Sequence, residues 1–405
     1  MRGMKIKPYA GLGAIVFLGA IATAQAPRPP GPPPPPPPSN NLGRPFDHLK
    51  PLELSRFQDG LATFTEVEDA ASGLGPVFTE SSCVACHSAG AAGGAGLRTV
   101  TRIGRIVMGQ YDPMVDFGGP LIQNKAIGRF NGVNFVGEVV PKEATIVALR
   151  RTVPLFGLGL IDATPDAAFL KIADEESLSS PSTAGRVSIV PDFLSAHDRV
   201  GRFGWKAQHE SIFAFAADAY TNEMGVTTPA IPIENCPQGN CMMLKGNPAK
   251  TSPNDLVNSS IRKLTDFVMF LAPPPQLPPT RDSLEGQAIF GSIGCADCHR
   301  PSIQTGPSPT AALNFVNYSP FSDFLLHDMG ALGDGIVQNQ AGYRDIRTAP
   351  LWGLRFEPSY LHDGRAKTIE DAILAHDGQG KAAKNAYQGL RRTQKAQLAA
   401  FLNSL

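Results

Sequence analysis

The chain has 405 residues, with 36 basic against 36 acidic side chains and 42% hydrophobic residues, enough for two domains with cores of their own. So even a charge balance leaves no basic field for nucleic acid and no polybasic membrane patch. Beyond the first 26 residues no stretch is long and apolar enough to span a bilayer.

The chain opens with Arg2, Lys5 and Lys7, then an apolar run from about Ala10, then Ala24-Gln25-Ala26. A basic n-region, an apolar stretch and a small-x-small site predict a cleaved secretory signal over 1–26, a periplasmic protein and no stable membrane insertion. A retained anchor is the alternative, but glycines interrupt the run and it falls short of the about 20 residues that span a bilayer. Cleavage leaves 33 basic and 36 acidic residues, a slight acidity that suits a small basic redox partner. Residues 27–45 follow as a linker, beginning with the polyproline run PRPPGPPPPPPPSNN over 27–41, an extended spacer that builds no core.

Six cysteines fall in three pairs, Cys83/Cys86, Cys236/Cys241 and Cys295/Cys298. Three disulfides would be the ordinary reading of an exported chain, but two of the pairs continue as C-x-x-C-H: Cys83-Val84-Ala85-Cys86-His87 and Cys295-Ala296-Asp297-Cys298-His299. Thiols one helical turn apart add to the two vinyl groups of a haem, and the next histidine becomes the proximal iron ligand. A thioredoxin-like pair leaves both histidines and the recurrence unexplained. A zinc site from two such knuckles spaces them by roughly 15–20 residues, whereas these begin at 83 and 295. The expected cofactors are two covalently bound c-type haems. Cys236 and Cys241 read as a small-loop structural disulfide, with a redox-active pair as the alternative.

The halves repeat. Phe78 and Phe290 each stand five residues ahead of a first cysteine, and Arg151-Thr-Val-Pro-Leu-Phe-Gly-Leu158 answers Arg347-Thr-Ala-Pro-Leu-Trp-Gly-Leu354. An apolar-periodic helix closes each half, around 255–271 and 393–405, and Pro273–Pro279 separates them. The expected fold is mainly α: two cytochrome c-like haem domains in tandem, 46–272 and 282–405, joined by a linker over 273–281, with long loops and little β structure. The polar stretch 163–199 reads as a loop.

Both haem motifs, together with GRFGWKAQHESIFAFAADAYTNEMG (201–225), LLHDMGALGDG (325–335) and RTAPLWGLRFEPSYLHDGRAKTIEDAILAH (347–376), resemble the bacterial di-haem cytochrome c peroxidase superfamily, especially its di-haem oxidoreductase branch. The resemblance covers nearly everything from about Phe46 onward. It implies a sixth ligand for the second iron at His376, where many peroxidases of the superfamily have methionine, so that haem would be bis-histidine with His299. In the first half the repeat puts Ala217 opposite His376, and no histidine lies between His87 and His197, so the first iron is expected open or water-held. Met108 and Met114 are weak alternatives, each also readable as core. Glu223 matches the glutamate that peroxidases use as acid/base beside the substrate haem, although Phe213 stands where they commonly add glutamine; a solvent-facing helix-end glutamate is the plainer reading. The bridging aromatic falls on Phe203 by counting, with Trp205 preferred because indole oxidises more easily; core packing is the alternative for either. A calcium ion between the domains is common in the superfamily, but no acidic loop identifies its ligands.

The function implied is a peroxidase that reduces hydrogen peroxide at the His87 haem with electrons delivered through the second haem by a cytochrome c or cupredoxin. An oxygen-activating oxidase, oxygenase or cofactor-maturing enzyme is the runner-up. A plain electron-transfer cytochrome and a dithiol enzyme using Cys236 and Cys241 complete the set.

Overall fold

A computed structural model describes residues 41–195, 197–245 and 259–405; the signal segment and most of the Pro-rich linker lie outside them. Nine α-helices occur among the described residues: α1 (Pro51–Thr65), α2 (Leu158–Asp162), α3 (Asp166–Ser179), α4 (Ile212–Met224), α5 (Ser259–Phe270), α6 (Arg281–Ser292), α7 (Ile369–Ala375), α8 (Lys381–Gln388) and α9 (Arg392–Leu402). None is long and apolar enough to cross a membrane.

The repeat is built on two helix crossings, α1 on α5 and α6 on α9. Each crossing closes on a glycine. A Cβ on Gly60 would stand 2.2 Å from the Lys263 carbonyl oxygen, and one on Gly286 would stand 2.0 Å from that of Gln397. One turn later Phe64 packs on Phe267 with ring centres 4.7 Å apart, and Phe290 packs on Phe401 at 5.3 Å. Those phenylalanines also stand alike over the two C-x-x-C-H histidines: Phe64 is 6.2 Å from the His87 ring and Phe290 is 6.3 Å from His299. The repeat therefore pairs Phe64, not Phe78, with Phe290. Phe78 lies in the short strand Val77–Phe78, inside an insertion between α1 and Cys83 that the second half lacks.

Two further expectations are corrected. Between His87 and α2 stands a four-stranded antiparallel sheet, in which Thr99–Val107 pairs with Gln110–Asp112, Leu121–Ile122 and Ile146–Arg151. Thr99, Val100, Thr101, Ile103, Ile106 and Val107 supply the β-branched residues that suit a pleated surface. A Met108-Gly109 turn with both φ positive closes the hairpin. And 163–199 is not all loop: Asp166–Ser179 forms α3, burying Phe169, Ile172 and Glu176, and Ser188–Pro191 pairs with Asp198–Gly201.

The main core crosses the boundary between the halves. The main cluster joins Phe57, Phe64, Leu158, Ile161 and Phe267 of the first half to Ile303, Leu313, Tyr318, Phe324 and Trp352 of the second. Polar links cross the same boundary: the Thr310 hydroxyl donates to buried Glu53 (2.8 Å), and Thr164 bonds the Tyr318 hydroxyl (2.8 Å). Phe290, Phe321, Tyr387, Leu398 and Phe401 form a smaller cluster within the second half.

Candidate functional site

Each C-x-x-C-H segment folds as one helical turn. The His87 amide donates to the Cys83 carbonyl (2.9 Å), and the His299 amide to that of Cys295 (2.9 Å). Each turn lines a cavity, about 70 Å³ beside Cys83, Cys86 and His87 and about 270 Å³ beside Cys295, Cys298 and His299. Burial pushes the Cys83, Cys86 and Cys295 thiols up to about 12, so they are neutral thiols.

Four of the eight histidines, His299, His327, His362 and His376, line the larger cavity. His299 and His376 face each other across it with ring centres 6.5 Å apart. An imidazole nitrogen binds a first-row metal at about 2.0–2.1 Å, so two rings sharing one ion stand about 6.3 Å apart, allowing about 1.1 Å from nitrogen to ring centre. Both rings are preset for that use. His299 Nδ1 donates to the Phe321 carbonyl (2.9 Å) and His376 Nδ1 to that of Ala372 (2.7 Å), which leaves each Nε2 as the lone-pair nitrogen. His376 owes its place to α7. Thr368 caps the helix in a reciprocal pair with Asp371, the helix stops at Ala375, and the imidazole satisfies an orphan carbonyl of the last turn. Burial holds His299 down to about 4 and lowers His376, so both are neutral, the form that binds metal. Trp352 adds an orphan: its buried Nε1–H has no partner although it lines this cavity, a donor suited to a haem carboxylate. The residues present fit a haem.

The smaller cavity has one histidine. His87 Nδ1 donates to the Val153 carbonyl (2.9 Å), and burial lowers its pKa to about 4. Phe215, Ala216, Ala219, Tyr220, Glu223 and Met224 of α4 line the same cavity. Ser211 caps this helix by accepting from the Ala214 amide (3.1 Å). It ends at Gly225, whose φ is +67° and whose Cβ would fall 2.7 Å from the Val77 oxygen, so only glycine serves there. The Glu223 carbonyl accepts from Thr79 (2.6 Å), which ties the end of α4 to the insertion after α1. Burial first, then the charge of Asp218, raises the Glu223 carboxyl to about 7, with Arg102 opposing.

Several expected residues lie elsewhere. Met108 is 98% exposed at the hairpin tip, and Met114 is buried in a separate cluster with Ile103 and Ile122; neither lines the cavity. Ala217 is buried beside Ala216 in the core, and Phe213 packs there too, with Arg262 over its ring. Phe203 and Trp205 line different cavities, Phe203 the smaller and Trp205 the larger, with only Gly204 between. The Trp205 Nε1–H donates to the Arg151 carbonyl (3.2 Å), and its ring meets His362 edge-on at 6.2 Å. Val153 lines the larger cavity while its carbonyl holds His87.

Sequence reasoning missed three residues of the smaller cavity. Tyr220 donates to Glu68 (2.8 Å), Met224 offers a thioether, and Glu80 pairs with Lys125 (2.6 Å) and Arg98. The spacing from Tyr220 to Glu223 and Met224 along α4 was the available signal for the first two. Cys236 and Cys241 form a disulfide with Cα atoms 4.5 Å apart and line neither cavity. Among the described residues the one cluster of three ligating side chains is Cys298, Asp323 and His327, unlike the all-oxygen shell of calcium.

Two C-x-x-C-H cavities in one packed unit, one with facing imidazoles and one with a single imidazole and a carboxyl, define a protein built to hold two haems. Residues 129–405 match the family described as "Di-haem oxidoreductase, putative peroxidase"; the chain belongs to this family and is an oxidoreductase. Among solved structures it is similar to the diheme peroxidase BthA from Burkholderia thailandensis (14% identity, 90% of this chain and 87% of that one, TM-score 0.40). It is also similar to a MauG-like protein associated with microbial copper homeostasis (15%, 94% and 95%, 0.38) and to Kuenenia stuttgartiensis hydrazine synthase (13%, 97% and 100%, 0.37). Likenesses this distant carry no argument about chemistry. No curated protein sequence matches the chain.

Proposed function

We propose that the protein is an exported, periplasmic peroxidase with two c-type haems, one joined to Cys83 and Cys86 and the other to Cys295 and Cys298. His87 would hold the first iron, and His299 together with His376 would hold the second. The observation that carries this reading is the contrast between the cavities: paired imidazoles 6.5 Å apart in one, a lone imidazole sharing the cavity with a carboxyl raised to about 7 in the other. A closed pair of axial ligands suits electron transfer, and a free position beside an acid/base group suits substrate chemistry.

When bound, the haems would supply the two electrons that reduce peroxide. The remaining chemistry belongs to the chain. Glu223, as carboxylate, takes a proton from peroxide and returns it to the departing oxygen, which leaves as one water; two further protons from solvent, with the two electrons, make the second oxygen into another water. Phe215, Ala216 and Leu155 keep the rest of the cavity apolar and water-poor. Phe203 and Trp205 stand where electrons pass between the haems.

The test is stopped-flow spectroscopy of the fully reduced protein, mixed first with peroxide and then with oxygen. Rapid two-electron oxidation by peroxide with slow reaction toward oxygen supports the peroxidase. Stable oxygen binding without peroxide turnover transfers the site to the oxygen-activating class.

A further inference from the structure

The whole chain is nearly neutral, but its charge is not evenly spread. Residues 378–405 contain Lys381, Lys384, Arg391, Arg392 and Lys395 and no acidic side chain, whereas 27–377 hold 28 basic and 36 acidic residues. This basic segment is α8 and α9, and it covers the larger cavity: Gln379, Gly380, Ala382, Ala383 and Lys384 all line it. The nearby acids offset it only in part, Asp377 being close enough to Lys381 and Lys384 for their charge to lower its carboxyl. Glu370 faces Lys395 at 3.6 Å and accepts from the Tyr387 hydroxyl, and Asp377 accepts from the Ala331 amide. Among the described residues no carboxylate lies within ion-pair distance of Lys381, Lys384, Arg391 or Arg392.

The wall is also thin there. Ala382 both lines the cavity and is exposed, so the cavity comes close to the surface at this alanine. Tyr387 anchors the helix from below, buried under the Lys395 ammonium (4.6 Å to the ring). A protein surface whose net charge opposes that of its partner speeds encounter and orients it.

We propose that α8 and the first turn of α9 form the docking surface for an acidic electron-donor protein, which passes electrons to the second haem across Ala382. This deepens the peroxidase reading and rests on its assignment of the second haem as the entry point. It reverses the partner charge that the whole-chain count suggested: the donor's docking face is acidic.

The experiment uses the full di-haem protein and two small reduced c-type cytochromes of similar potential, one acidic and one basic, and follows reduction of the second haem by stopped flow without peroxide. The acidic donor should react at least about tenfold faster at 10 mM ionic strength, and its rate should fall steeply toward 0.3 M, where the Debye length shrinks to about 6 Å. Lys381→Glu/Arg392→Glu should remove that preference while leaving reduction by neutral hydroquinone unchanged, which shows that the variant folds and loads haem. A basic donor that is as fast or faster, an acidic-donor rate indifferent to the double charge reversal, or a patch that binds phosphatidylglycerol vesicles but gives no donor preference overturns the proposal. Peroxide turnover with hydroquinone is measured in parallel. Its absence would sink the peroxidase reading without touching the docking result.

Discussion

Replacing Glu223 by glutamine tests the proposed acid/base role most directly, because size and some hydrogen bonding are kept while the titration is lost. The carboxyl is raised from its ordinary 4.5 to about 7, by burial first and by Asp218 second. If the carboxylate must accept the first proton, peroxide turnover in the parent rises about tenfold per pH unit up to a midpoint near 7 and then levels off. Glu223→Gln should lower the plateau by about 10² to 10⁴ and abolish that limb. Stability supplies an independent reading. Between about pH 4.5 and 7 the folded protein keeps a proton that the unfolded chain has released, so this residue's contribution to stability falls as pH rises through that window, by at most about 3 kcal/mol. Glutamine carries no such penalty. Denaturant melts should therefore show the variant equal to the parent near pH 5 and more stable by up to about 3 kcal/mol at pH 8. Turnover within about twofold of the parent together with an intact pH limb would refute the assignment, whatever the melts show.

Purified protein made with a haem-attachment system should keep two haems through acid-acetone extraction, and Cys295→Ala/Cys298→Ala should keep one. His376→Ala should convert a single low-spin bis-histidine signal to high spin in electron paramagnetic resonance and leave the other haem unchanged; a His/Met signal from the first haem would instead name Met224 as its ligand. Trp205→Ala and Phe203→Ala should each slow electron passage between the haems in flash-reduction traces without altering either haem's spectrum. Gly286→Val forces a side chain into the Gln397 carbonyl, where a Cβ would stand at 2.0 Å, and should lower stability by more than about 2 kcal/mol in denaturant melts.

Chemistry carried by adjacent residues was legible from sequence alone. C-x-x-C-H is a local code, since one helical turn brings both thiols and the histidine to a common face, and both cavities stand on it. His376 was singled out through the family resemblance, which puts a ligand at the far end of the helix after the His-Asp-Gly turn, and α7 brings it opposite His299. Glu223 was singled out through the family resemblance, and α4 brings it to the wall of the smaller cavity. What failed depended on contacts distant in sequence. Phe78 matched Phe290 by spacing, but the insertion after α1 moved the true counterpart to Phe64, which only the helix crossing at Gly60 reveals. The strands flanking Met108 and the helix from Asp166 carry modest local signals, and tertiary burial decided them. Trp205 and Phe203 could not be ranked by counting, because each faces a different cavity from a single turn. The basic segment 378–405 was invisible in a net charge near zero, since a sum over the chain discards where the charges lie, and only the tertiary structure shows that it lines the second cavity.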